Sequence, residues 1–115
     1  MPPVGNITGA WNGVYSYANG KPVAFRFDFA SGTCTGRSEE PNTFGQRDAP
    51  KLFATLVCSA TSLAPGQVIT ITKTYDGTGG VSHAVSYVGT VSADLRSISG
   101  RWTVNGTRGN FTMSR

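Results

Sequence analysis

The chain has 115 residues, 38% of them hydrophobic and 14% charged: room for one domain with its own core, and too little charge for a disordered segment. With 15 Gly and 6 Pro the backbone turns too often for a helical bundle or coiled coil, and no stretch of about 18 apolar residues exists to cross a bilayer as a helix. The net charge of +4 comes from Lys and Arg placed singly, which reads as a mildly basic surface and not as a nucleic-acid-binding stripe.

Apolar and polar residues alternate with period two along the chain, predicting eight strands at residues 10–17, 23–30, 33–38, 52–60, 68–75, 81–91, 97–104 and 109–114. In the first, Trp11, Gly13, Tyr15 and Tyr17 share a face; in the second, Phe25, Phe27 and Phe29 do. The fifth sets Ile69, Ile71, Lys73 and Tyr75 against Val68, Thr70, Thr72 and Thr74. The sixth groups His83, Val85, Tyr87, Gly89 and Val91, the seventh Ile98, Gly100, Trp102 and Val104, and the eighth Phe111 and Met113. One face of the sheet is thus aromatic and aliphatic, the other small and hydroxylated. Most connections are of hairpin length, so successive strands are antiparallel neighbours; the exception is 39–51. The expectation is all-β: an eight-stranded antiparallel up-and-down barrel spanning 1–115 as one domain, with 1–8 an irregular N-terminal segment.

In such a barrel the connections 19–22, 39–51, 76–80 and 105–108 lie at one end. The inward residues nearest that mouth include Tyr15, Tyr17, Lys73, Tyr75, His83, Tyr87 and Trp102, while Trp11, Ile69, Val91 and Ile98 plug the other end. An inward lysine demands a partner. The candidates are Glu40, placed on the long 39–51 loop, and Asp76 at the strand end. That loop also carries Asn42 and Phe44, which can fold over the mouth as a lid.

Gly9-Ala10-Trp11 at the first strand and Arg115 after the last resemble the Gly-x-Trp and terminal-Arg signature of calycin barrels, the lipocalins, fatty-acid-binding proteins and avidins. Over most of the chain, Gly9-x-Trp11-x-Gly13-x-Tyr15, Glu40-Pro41-Asn42-Thr43-Phe44-Gly45, Lys73-Thr74-Tyr75-Asp76-Gly77-Thr78-Gly79-Gly80, Ser82-His83-x-Val85-x-Tyr87-x-Gly89, Gly100-x-Trp102 and Phe111-x-Met113-x-Arg115 resemble a small bacterial family of lipocalin- or avidin-like barrels. The resemblance implies the fold, and a structural role for Trp11 and Arg115 in which the arginine packs over the tryptophan and closes the base.

The leading expectation is non-enzymatic binding of a small, partly apolar molecule at the mouth by Tyr15, Glu40, Asn42, Phe44, Lys73, Tyr75, His83, Tyr87 and Trp102. Two alternatives stand beside it: a small isomerase or cyclase using the same pocket, and a homodimeric or tetrameric barrel assembled through its weakly charged outer wall. A single histidine excludes a multi-histidine metal site, no Ser-His-Asp arrangement emerges, and no catalytic residue or cofactor is assigned. Met1-Pro2-Pro3-Val4-Gly5 lacks the basic and apolar regions of a secretory leader, which points to the cytoplasm. Cys34 and Cys58 fall opposite each other about the 39–51 connection, where a cross-strand disulfide is sterically feasible. A reducing compartment makes them two reduced, partly buried thiols.

Overall fold

The computed structural model describes residues 5–17, 22–30, 33–41, 50–104 and 106–115, with Tyr17 described in its backbone alone. Ten strands follow in chain order: β1 (Gly5–Asn6), β2 (Gly9–Tyr17), β3 (Val23–Phe29), β4 (Thr35–Pro41), β5 (Lys51–Cys58), β6 (Ser62–Leu63), β7 (Val68–Tyr75), β8 (Ala84–Val91), β9 (Ser97–Val104) and β10 (Thr107–Ser114). The eight longer ones form a closed antiparallel barrel in the order β2, β3, β4, β5, β7, β8, β9, β10, with β10 returning to β2. The fold class expected from alternation is therefore the one found, and a closed meander of this kind is consistent with a calycin-like barrel. Closure leaves the barrel no unpaired edge strand.

Alternation sets the inside from the outside as read. On β7, Ile69, Ile71, Lys73 and Tyr75 are buried while Val68, Thr72 and Thr74 are exposed. Within the barrel the ring of Tyr87 sits 5.4 Å from Phe27 and 5.1 Å from Phe111, both edge-on, an arrangement aromatic quadrupoles favour. Gly100 on β9 faces Gly89 on β8, and a Cβ at Gly100 would run into the Val88 carbonyl and the Gly89 Cα. The two strands approach this closely because neither glycine carries a side chain.

The base is closed as the Trp/Arg signature implies. The Arg115 guanidinium lies 4.5 Å from the Trp11 ring centroid and donates to the carbonyls of Asn6 at 2.6 Å and Leu95 at 3.1 Å. Trp11 donates its indole N–H to the Ile7 carbonyl at 2.9 Å. Residues 5–6 are not irregular: β1 pairs with β6, a two-stranded flap that alternation over two residues is too short to announce.

Three boundaries differ with consequence. β8 begins at Ala84 and not at 81, because a 3₁₀ turn at Thr78–Gly80, entered and left through left-handed Gly77 and Gly80, delays the strand. β4 runs on to Pro41, so Glu40 belongs to a strand and not to the long loop. Between β3 and β4 the register joins Arg26–Phe29 to Gly36–Glu39 and stops there, two residues short of Pro41, which has no N–H to donate.

The two reduced thiols expected from the sequence are overturned. Cys34 and Cys58 form a disulfide, with Cα atoms 4.9 Å apart. The pairing of Thr35 with Val57 brings the two cysteines opposite each other, and the Cys58 N–H donates to the Cys34 carbonyl at 2.8 Å.

Candidate functional site

Lys73 is the third of the four inward positions of β7, the one charge on an otherwise apolar face, and it is fully buried. Period two leaves it no way to reach solvent without turning Ile69, Ile71 and Tyr75 outward. Glu40, inward on β4 by the same alternation and 2% exposed, meets it: Nζ donates to Oε1 at 2.6 Å. The carboxylate also accepts the Tyr75 hydroxyl at 2.8 Å on Oε1 and the Tyr15 hydroxyl at 2.6 Å on Oε2. Nζ in turn lies 5.1, 4.6 and 5.3 Å from the ring centroids of Tyr15, Tyr75 and Tyr87. One carboxylate with three donors and one ammonium among three ring faces is how a buried ion pair avoids the cost of unmatched charge.

The surroundings shift the groups in opposite senses. Desolvation drives the Lys73 ammonium below its ordinary value of 10.5, with the attraction and hydrogen bond of Glu40 opposing. Burial, then the Glu40 charge, raises the Tyr75 hydroxyl far above the usual phenol range.

This cluster forms one wall of a cavity of about 220 Å³ at the mouth, lined by Tyr15, Lys73, Tyr75, His83, Val85, Tyr87, Trp102 and Val104. Trp102, which lines the cavity, donates its indole N–H to the Ser16 carbonyl at 3.2 Å and meets Tyr15 edge-on at 6.0 Å. His83 precedes β8, is exposed at the rim, and sets its ring 4.9 Å from that of Tyr75.

Of the residues expected at the site, Tyr15, Glu40, Lys73, Tyr75, His83, Tyr87 and Trp102 are brought together. Asn42 and Phe44 lie outside the described residues. Of the two partners expected for Lys73, Glu40 is the one found. Asp76 is not its partner; it faces Arg37 at 3.3 Å on the outer surface. Val85 and Val104 were missed as lining, although each shares parity with a neighbour that was named, Tyr87 and Trp102.

A second hollow of about 370 Å³ opens on the barrel's side where the β3–β4 ladder ends, between Asn12, Ala24, Phe25, Arg26, Glu39, Glu40, Pro41, Pro50 and Lys51. Among the described residues no cluster of His, Cys, Asp and Glu could hold a metal, and no helix is long and apolar enough to cross a membrane. Comparison with protein-family models, with curated proteins and with solved structures finds no match.

Proposed function

We propose that the protein is a lipocalin- or avidin-like binding barrel that holds a small, partly apolar molecule at its mouth without converting it. The observation that carries this reading is the cavity of about 220 Å³, walled by aromatic rings and valines and backed by a fully buried, hydrogen-bonded Glu40–Lys73 pair. Its size is below the roughly 300–1,000 Å³ of pockets for drug-sized ligands, which fits a single ring or a short acyl chain. Because Glu40 already satisfies Lys73, the fitting ligand is neutral and largely apolar, and not the anionic one that a lone lysine suggests. The test is native mass spectrometry of protein purified from its own host. A co-purifying small molecule that disappears in Val104→Trp, which fills the cavity, supports binding. No such mass, together with no thermal shift from a panel of small aromatic and aliphatic alcohols, rejects it.

A specific surface favours a second, compatible reading: a homodimer or larger assembly. Val57, Val68 and Val88 are 55%, 63% and 45% exposed, and the outward faces of β7 and β8 carry no charge. Light scattering at twice the 12.1 kDa chain mass or more supports self-association, and a monomer mass at micromolar concentration rejects it. The Cys34–Cys58 bridge supports an oxidising compartment over the cytoplasm expected from the N-terminal residues.

A further inference from the structure

We propose that His83 selects what the mouth cavity holds, and that its ligand is a small neutral alcohol or phenol whose hydroxyl meets the imidazole. This rests on the ligand-binding reading and adds to it the class of ligand and the residue that chooses it.

The polar side chains around the cavity divide by reach. Tyr15, Lys73, Tyr75, Tyr87 and Trp102 are at most 5% exposed, whereas His83 stands exposed at the rim. The buried ones also commit their protons within the barrel. Tyr15, Tyr75 and Lys73 donate to Glu40, and Trp102 donates to the Ser16 carbonyl. Among the described lining residues, a polar group arriving from solvent therefore finds its partner at His83.

The other requirement is set by the valines. Val85 is buried at the start of β8 and Val104 half-buried at the end of β9, and both line the same space. A ligand that suits both surroundings carries one hydrogen-bonding group and a short apolar body. His83 is held in place to meet it. Its carbonyl accepts the Tyr75 N–H at 3.0 Å, and its ring lies 4.9 Å from the Tyr75 ring. A hydroxyl is the fitting group, because neutral imidazole offers one donor and one acceptor nitrogen and a hydroxyl can answer either. A carboxylate is the poorer fit: the enclosed Lys73 is already paired with Glu40, so no buried counter-ion waits for it.

The experiment titrates the full chain with benzyl alcohol and with ethylbenzene, which carries a methyl where the alcohol has its hydroxyl, and reads tryptophan fluorescence. Wild type is compared with His83→Phe and His83→Gln; the residue is exposed and precedes β8, and circular dichroism checks that each variant is folded. Taking the ratio of the two affinities in each protein cancels the different cost of removing the two molecules from water. His83→Phe is expected to lower the affinity for benzyl alcohol relative to ethylbenzene by about 3- to 10-fold, the worth of one hydrogen bond. His83→Gln, which keeps a donor and an acceptor, should recover most of that loss. A ratio unchanged in His83→Phe overturns the role of His83, and benzoate binding more tightly than benzyl alcohol overturns the neutral hydroxyl. Ethylbenzene binding with no benzyl alcohol binding overturns the ligand class and leaves the binding barrel standing. Neither molecule binding to wild type overturns both.

Discussion

Glu40 accepts from Lys73, Tyr15 and Tyr75 at once, so removing any one partner leaves charge in a medium that solvates it poorly. Breaking a buried pair from one side costs about 3–5 kcal/mol, whereas replacing both sides by uncharged groups of similar shape is often close to neutral. Lys73→Met and Glu40→Gln are therefore each expected to be strongly destabilising in urea, and the double variant less so than their sum. Additive losses would show that the two side chains are not coupled. The Tyr75 hydroxyl gives a pH signature. Its pKa is raised in the fold above the ordinary 10.0, so the unfolded chain releases this proton first and stability is lost as pH rises. Lys73 acts in the other sense, since its folded value is lowered, but that contribution ends once the unfolded lysine has also titrated at 10.5. Above that pH, stability should fall by about 1.4 kcal/mol per pH unit from Tyr75 alone. Urea midpoints that hold steady there, or a phenolate absorbance showing all tyrosines ionised in the folded state, would contradict the buried network.

The strands were legible where alternation runs unbroken, as on β7 and β9, whose bounds are those expected from sequence. It failed on β4 for a physical reason. Ser38-Glu39-Glu40-Pro41 is wholly polar apart from the proline, so nothing in hydropathy marks two of its residues as inward. The signal that exists is electrostatic: an inward Lys73 needs a buried acid, and extending β4 by period two supplies one at Glu40. The disulfide was legible as geometry and misread as chemistry, because the compartment was inferred from the first residues and then used to decide the cysteines. The bridge ties β4 to β5 across a sequence separation of 24, and loop-entropy arguments give it about 3–4 kcal/mol. Reductant, or Cys34→Ser with Cys58→Ser, should lower the unfolding midpoint correspondingly. Two thiols titrating in the untreated folded protein would show the bridge absent.

At the scale of the whole molecule the sequence announced both the closed base and the open mouth, because Trp11, Arg115 and the mouth aromatics sit at opposite ends of the same alternating strands. The occupant was not legible: the cavity is defined by ring positions, and rings of one chemistry serve many small molecules. The outer wall carries its own expectation. Should the chain self-associate through β7 and β8, Val68→Lys with Val88→Lys is expected to restore the monomer mass in light scattering while leaving the circular dichroism of the barrel unchanged. A ring of strands, finally, opens at its weakest joint. Among the described residues β3 and β4 pair over Arg26–Phe29 and Gly36–Glu39, with one further bond from the Ala30 N–H to the Thr35 carbonyl, while β9 and β10 pair from Thr107 to Ser114. One end of that short joint lies beside Glu40 and the hollow of about 370 Å³. Thermal breathing there, and not at the mouth, then sets how fast deuterium reaches the interior, so the amides of Ala24 and Phe25 should exchange ahead of those of β7 and β9.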